Sequence, residues 1–373
     1  MRRLAEKLHL WLGVITAPLV FFVCITGTII VFSDEIMDLS AGKARYAKEI
    51  KATKLPAEKL LEIVGETYPQ RRAPSYMVTY RNPERSVRFN SYDPEQGLRM
   101  VYVDPYSGEI LKDDGTIYFF YVTAHLHNSL LWHGTGEWII DITTILFLLA
   151  SITGLIMWWP KNKSRKAMRY AFSLKWKKSF GQMNIDMHRV IGMYMSFLLI
   201  VLSLTGLMIA FKPFFKLTKD TFGGNSAVEW DQGLASHDAA KNSFPVNSVI
   251  DRVFEENPGK NEIQIYTFKN KDWGYYALNA AKHIGLKSAM NSSFLVYDRY
   301  SGDKIDIQEE ALQNEVVENM VWTLHMGNWM GLGGKTITFL AGLFASFLPI
   351  SGLLIWIPKL LIKRKRRKQF GLI

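Results

Sequence analysis

Residues 187–211 read MHRVIGMYMSFLLIVLSLTGLMIAF, and residues 8–32 read LHLWLGVITAPLVFFVCITGTIIVF. The two stretches repeat one pattern. Each opens with a histidine, His188 or His9, ahead of a long apolar run. Each then has a glycine four residues on (Gly192, Gly13) and a Thr-Gly pair near its end (Thr205-Gly206, Thr26-Gly27). At about 100° per residue both glycines return close to the histidine's own face. One side of each helix is therefore expected to carry an imidazole and a strip without side chains. Such a strip suits a flat macrocycle ligated by the imidazole, and it also suits the close approach of two membrane helices.

The chain has 373 residues, 48% of them apolar. The apolar residues are concentrated in four runs, placed at Leu10–Phe32, Trp138–Trp159, Val190–Phe211 and Thr336–Ile357. Each meets the length of about 20 residues that crosses a bilayer core. Asp141 is the one charge in their inner parts, expected in the first turn of the second span. Trp11, Trp138, Trp158, Trp159, Trp356 and Lys359 mark the ends, as interfacial residues do.

The formal charge of +11 would suit nucleic acid, but its distribution excludes that reading. Arg2, Arg3 and Lys7 precede the first span. Lys161, Lys163, Arg165, Lys166, Arg169, Lys175, Lys177 and Lys178 fill the loop between the second and third, and Lys359 and residues 363–368 follow the fourth. The positive-inside rule then puts both termini and the middle loop in the cytoplasm, and residues 33 to about 120 and 212 to about 320 outside. The first run also fits the start of a signal peptide, but it is long, lacks a small-x-small site and has a twin in mid-chain. It is kept as a helix. The single cysteine, Cys24, lies inside it, so neither a Cys-based zinc site nor a C-x-x-C-H haem attachment is expected.

The chain reads as two halves on one plan. His127 matches His325, Trp158–Lys161 match Trp356–Lys359, and Thr153-Gly154-Leu155 match Ser351-Gly352-Leu353, all at one constant offset. An even number of crossings per half makes these parallel repeats, related by an axis along the membrane normal. The outside segments repeat as well. A helix at Pro56–Tyr68 precedes strands at Ser75–Arg81, Arg85–Tyr92 and Met100–Asp104. A helix at Val246–Glu255 precedes strands at Glu262–Lys269, Trp273–Asn279 and Ser293–Tyr297. Tyr-Ser-Gly turns at 106–108 and 300–302 close the two sets.

The expected class is thus a membrane protein, mainly α, with α+β extracytoplasmic modules. Its parts run as a first span with its cytoplasmic start (1–33), a first module (34–116), and an outer helix with the second span (117–160). A basic loop (161–186) and the third span (187–212) follow. A second module (213–314), an outer helix with the fourth span (315–358) and a basic tail (359–373) complete the chain. Neither module carries a nucleophile elbow, a phosphate loop or a metal signature, and no G-x-G-x-x-G follows a strand.

This combination resembles the PepSY-associated transmembrane helix family. The residues that carry the resemblance are His9–Gly13, Thr26-Gly27, Leu126-His127, Thr153-Gly154-Leu155 with Trp158-Trp159-Pro160, Asp186-Met187-His188 with Gly192, Thr205-Gly206, Leu324-His325, Ser351-Gly352-Leu353 and the two Tyr-Ser-Gly turns. They span nearly the whole chain. The resemblance implies four spans with two PepSY-like outside modules, one per repeat. It also implies kinship with inner-membrane proteins that bind b-type haem and reduce ferric siderophores, or that are known as iron-regulated. The family name comes from a module proposed to restrain peptidases.

Topology sorts the eight histidines. His9 and His188 fall at the cytoplasmic ends of the spans, His127 and His325 at the outer ends. A bis-imidazole iron holds its two nitrogens roughly 4 Å apart, so histidines separated by a ~30 Å core cannot share one. The expected pairs are His9 with His188 and His127 with His325, holding two non-covalent b haems through their irons. His133 is an alternative outer ligand if the helix breaks at Gly134-Thr135-Gly136. His125, His127 and His133 do not converge on one regular helix. His237 and His283 read as surface residues. Arg189, Lys7 and Arg3 stand where haem propionates would emerge. Gly223-Gly224 and Trp132, Trp138, Trp322 and Trp329 are candidates for shaping an acceptor site, an aromatic belt being the other account of the tryptophans.

The functional expectation is a transmembrane electron conduit. Its donor is cytoplasmic or a quinol, and its acceptor an extracytoplasmic ferric chelate, whose iron is released because Fe(II) binds hard-oxygen chelators weakly. The partners are membrane lipid, that donor and that chelate, with no nucleic acid. The alternative is a non-enzymatic envelope protein whose modules bind a peptidase. A transporter is disfavoured by the absence of central charges.

Overall fold

The structure is a computed structural model that describes residues 2–174, 179–238, 240–267 and 273–369, with the side chains of residues 359 and 362–369 outside the described part. Lys175, Lys177 and Lys178, the basic side chains of the tail and the expected strand residues 268–269 therefore lie outside it. The helices, in chain order, are α1 (Arg2–Ile30), α2 (Ser33–Ala41), α3 (Ala57–Thr67), α4 (Thr116–Ser129), α5 (Thr135–Trp158) and α6 (Arg165–Phe172). They continue with α7 (Phe180–Ala210), α8 (Lys212–Thr221), α9 (Val246–Glu256), α10 (Glu309–Met326) and α11 (Leu332–Gln369). The chain separates into two compact units, one of residues 1–31, 123–212 and 332–373, the other of residues 32–122 and 213–331.

In the first unit α1 packs on α5 and α11, and α7 packs on the same two, so α1 and α7 stand across the bundle from each other. Among the described residues α1, α5, α7 and residues 332–358 of α11 are long and apolar enough to cross a membrane. This is a multi-pass membrane protein. Apolar residues such as Ile15, Phe197 and Leu354 are exposed on these helices, as a lipid-facing surface requires, while the helices meet through small and hydroxylated residues including Ala17, Ser203, Ala341 and Ala345. Asp141 falls in the second turn of α5, which starts at Thr135, one turn deeper than expected, and it is buried.

The second unit contains the strands β1 (Tyr76–Tyr80), β2 (Val87–Asp93), β3 (Gly97–Val103), β4 (Ile110–Asp114), β5 (Glu262–Tyr266), β6 (Tyr275–Ala281), β7 (His283–Ile284), β8 (Ala289–Met290), β9 (Ser293–Asp298) and β10 (Lys304–Ile305). Among the described residues eight of them form one sheet in the order β10-β9-β6-β5-β1-β2-β3-β4. The joint is the antiparallel pair β1–β5, centred on Val78 opposite Gln264. Two segments expected as separate sheets are thus fused edge to edge, which removes two exposed edges. Met77, Phe89, Val101, Ile263, Ile265 and Leu278 turn one face toward α3 and α9, whose Leu60, Val64, Val249 and Val253 complete a dry core. β4 and β10, unforeseen from the sequence, follow the Tyr-Ser-Gly turns. There Asp104 and Asp298 accept hydrogen bonds from the backbone two and three residues on, and Gly108 and Gly302 take φ of 78° and 73°, the left-handed region that glycine enters freely.

Candidate functional site

The bundle encloses a cavity of about 750 Å³ lined by His9 and His188, by Gly13, Gly154, Gly192 and Gly352, and by Arg2, Lys161 and Arg189. This lies within the range of small-molecule and cofactor sites. His9 comes from α1 and His188 from α7, and their ring centroids are 6.2 Å apart with the planes at 78°. Two imidazoles sharing one metal, with bonds of about 2 Å and about 1.1 Å from nitrogen to ring centre, have centroids about 6 Å apart.

The nitrogen each ring turns inward follows from its other contacts. His9 Nδ1 lies 2.9 Å from the Ala150 carbonyl and 3.5 Å from Thr153 Oγ1. A carbonyl only accepts, so Nδ1 carries the proton and donates, and the lone pair of the neutral ring is on Nε2. His188 Nδ1 lies 2.7 Å from Ser351 Oγ. That hydroxyl already donates to the Leu348 carbonyl at 2.9 Å, so it too accepts from Nδ1. Both rings therefore hold Nε2 ready as a ligand, with a fixed orientation of the kind that protein-bound metals demand.

The sockets recur. His127 Nδ1 donates to the Val23 carbonyl at 2.9 Å and lies 3.3 Å from Thr26 Oγ1. In each case the ring lies on the glycine that follows the hydroxyl residue. A methyl at Gly154 would stand 3.1 Å from His9 Cε1, one at Gly27 would stand 2.8 Å from His127 Cε1, and one at Gly352 would stand 3.5 Å from His188 Cε1. Gly27 is not in the lining of the cavity around His9 and His188, and it seats a histidine from another helix. A methyl at Gly13 would meet nothing within 4 Å, and both Gly13 and Gly192 do line the cavity, as expected.

Of the basic residues expected beside the site, Arg189 lines the cavity, while Arg3 and Lys7 do not; Arg2 and Lys161, not singled out in the sequence, do. Arg2 donates to the carbonyls of Met157 and Trp159 at 2.8 and 3.2 Å. Arg189 stacks 3.6 Å above the Tyr170 ring and pairs with Asp186 at 3.1 Å. Among the described residues its Nε and Nη1, both buried, have no hydrogen-bond partner. Tyr170 belongs to α6, so part of the basic loop folds as an amphipathic helix against the cavity mouth, held by Trp158 Nε1 donating to the Ala171 carbonyl at 3.0 Å.

His325 ends α10 and belongs to the sheet unit, whereas His127 belongs to the bundle unit. After α4, Leu130 and Leu131 take φ of 54° and 59°, a conformation costly for a branched residue. The reversal sets the His133 ring 5.6 Å from that of His125, and His133 Nδ1 is 3.4 Å from Glu137. The chain turns at Leu130 and Leu131, ahead of the expected break at residues 134–136. His237 and His283 are not bare surface residues: His237 Nδ1 bonds Tyr300 Oη at 3.0 Å, and His283 pairs with Glu262 at 3.1 Å. Gly223-Gly224 ends α8, and Asn314 of α10 fastens the chain just after it by donating to the Asn225 and Val228 carbonyls, which accounts for the glycines structurally. Trp132, Trp138 and Trp329 are exposed. Among the described residues no three His, Cys, Asp or Glu side chains converge on one point.

A family model, the PepSY-associated TM region, matches residues 7–359, and the chain belongs to that family. No curated protein matches it.

Proposed function

We propose that this PepSY-associated membrane protein is a transmembrane electron carrier that binds haem b without covalent attachment and serves an extracytoplasmic ferric chelate. The observation that carries the reading is the pair of facing imidazoles, His9 and His188, at the separation a shared iron requires. Haem iron would supply one-electron chemistry that no amino-acid side chain in the cavity supplies.

The chain's own residues supply the rest. His9 and His188 would hold the haem iron, and Ala150, Thr153 and Ser351 hold their rings and fix the tautomer. Gly13 and Gly192 leave room for a flat ring. Two buried nitrogens of Arg189, without a partner among the described residues, suit an anionic group at the cavity mouth, because a buried guanidinium without a full set of acceptors is costly. Arg2 and Lys161 add positive charge at the same end. The apolar wall, with Trp158, Trp356 and Leu199, keeps the dielectric low.

A second haem is proposed on His127 and His325. His127 is seated as His9 is, and the sequence repeats the Thr-Gly pair at Thr205-Gly206 and the histidine at His325. The two halves are accordingly proposed as parallel repeats, each with a PepSY-like module. By charge bias the termini face the cytoplasm of a bacterial inner membrane. A cytoplasmic protein or a quinol is the proposed donor. A peptidase-docking role would leave the facing imidazoles without a purpose.

The test is a dithionite-reduced minus oxidised spectrum of purified protein, with haem content per chain. Two b-type haems are expected. Absence of haem after expression with adequate haem supply overturns the reading.

A further inference from the structure

The face of the sheet turned away from α3 and α9 is covered differently in its two halves. In the first, Met100 and Tyr102 pack beneath Ile117 and Phe120 of α4. At the constant offset that matches His127 to His325, Ile117 and Phe120 correspond to Glu315 and Glu318 of α10. These do not fill the space, and a cavity of about 570 Å³ remains between α10 and the register partners Gln264, Asn279 and Phe294. Glu315, Glu318 and Trp322 line it at the spacing of one helical face, and His325 continues that face three residues on. At 1.5 Å of rise per residue, Trp322 and His325 stand about 5 Å apart along the axis.

The charges of the chamber balance. Lys287 and Lys304 line it with Asp306, Glu315 and Glu318. Lys219, paired with Glu318 at 3.3 Å and close enough to act on Glu315, supplies the remaining cation. Burial, then the neighbouring Glu318, push the Glu315 carboxyl up to about 7, so the balance holds at pH 8. What the chamber leaves open is neutral. Among the described residues the side chains of Gln264 and Ser292 and the indole N–H of Trp322 make no hydrogen bond, and all three residues line the cavity. Tyr266, Phe294 and Trp322 add apolar faces.

We infer that this chamber seats the electron acceptor, and that the acceptor is a ferric chelate of zero net charge. Three singly negative bidentate oxygen ligands of the hydroxamate kind give Fe(III) that charge. Their amide-like groups both donate and accept, as the Gln264 amide and the Ser292 hydroxyl do. A tris-catecholate is triply negative and would bring unbalanced charge into the chamber, which burial makes costly. The choice of an iron chelate rests on the proposed carrier function and on the place of the chamber beside His325. The zero charge rests on the chamber alone.

The test is calorimetric titration of the oxidised full-length protein in detergent at pH 8, without reductant. The probes are ferric desferrioxamine B with its terminal amine acetylated (neutral), free (singly positive) or succinylated (singly negative), and a ferric tris-catecholate. One trihydroxamate iron core is thereby compared at different charges. The neutral complex is expected to bind at least fivefold more tightly than either charged form, and the tris-catecholate not to bind. Glu315→Gln removes one negative charge and is expected to move the preference to the succinylated form. Gln264→Leu keeps the size of the side chain, removes its hydrogen bonds and is expected to weaken the neutral complex at least fivefold. Equal binding of the three forms, binding of the tris-catecholate, an unmoved preference in Glu315→Gln, or no saturable heat with any complex overturns the assignment. If Gln264→Leu fails to fold, the charge series and Glu315→Gln remain decisive. No electron transfer is needed, and haem content is assayed separately. Charge-selective binding by protein without haem would sink the carrier and keep the chelate site, and haem without binding would do the reverse.

Discussion

His9 and His188 face each other at 6.2 Å between centroids although they lie far apart in the chain on helices α1 and α7. Two ligands on one iron act as a unit, so their losses do not add. His9→Ala, His188→Ala and the double variant are each expected to lower haem content from two to one per chain, to the same residual spectrum. A pyridine haemochrome assay measures it. Two haems retained in either single variant would remove that residue from the ligand set.

The sockets grade by their clearance. Alanine at Gly27 would meet His127 at 2.8 Å, at Gly154 it would meet His9 at 3.1 Å, and at Gly352 it would meet His188 at 3.5 Å. The last is ordinary contact, whereas the first forces movement. Overpacking of this kind costs about 1–3 kcal/mol. Thermal unfolding in detergent should rank Gly27→Ala as most damaging, Gly154→Ala next and Gly352→Ala near wild type. A reversed order would mean the rings do not rest on these glycines.

The hydroxyls differ in the same readable way. Ser351 is the acceptor for His188 at 2.7 Å, whereas Thr153 stands 3.5 Å from His9, which uses the Ala150 carbonyl instead. Removing an outer partner of a ligating histidine costs about 10–100-fold in metal affinity. Ser351→Ala should fall in that range for haem retention under competition with apomyoglobin, and Thr153→Val should change it little. Equal effects would show that the hydroxyl does not orient His188.

What is legible in the sequence follows from what periodicity reports. Spacing along one helix says which face a residue occupies, so His9 with Gly13 and His188 with Gly192 read as sharing a face, and all four line one cavity. Spacing does not say which helix meets that face, so Thr26-Gly27 and Ser351-Gly352 cannot be read as seats for histidines elsewhere in the chain. The cavity-lining role of Arg2 is equally hidden, because Arg2, Arg3 and Lys7 look alike as a charge cluster. In the sheet unit β2 and β6 are legible from alternation. β4 is not, because Ile-Leu-Lys-Asp-Asp does not alternate; Asp113 is held by Arg71 and Arg99, and Asp114 by Lys112 of the same strand. The β1–β5 joint is a long-range pairing that no local pattern encodes.

Glu262 and His283 provide a pH signature in the sheet unit. His283 is held above its usual range by its hydrogen bond to Glu262, against the effect of burial. Burial raises Glu262, but the bond and charge of His283 outweigh it and leave the carboxyl below its usual 4.5. A raised histidine contributes stability that is complete below its unfolded value of 6.5 and fades as pH rises through the folded value. A lowered carboxylate contributes above 4.5 and fades on acidification. The pair is thus strongest between about pH 4.5 and 6.5, reduced by solvent at the part-exposed imidazole. Wild type should lose unfolding temperature from pH 6 to 8 relative to His283→Gln. Parallel curves would show that the pair does not form.

The proposed orientation is testable because Cys24 is the single cysteine. In a Cys24→Ser background, Ser107→Cys and Ser301→Cys sit at exposed turns of the sheet unit, and Lys163→Cys is exposed between α5 and α6. The proposal takes the α5–α7 connection, where Lys and Arg concentrate, as cytoplasmic. The same proposal expects residues 107 and 301 on the opposite side of the membrane from residue 163. With the outer membrane permeabilised, a membrane-impermeant maleimide should label the positions at 107 and 301 and should reach 163 only after lysis. Labelling of 163 alone before lysis would invert the topology, and the basic mouth of the cavity at Arg189 would then face the periplasm, away from any cytoplasmic donor.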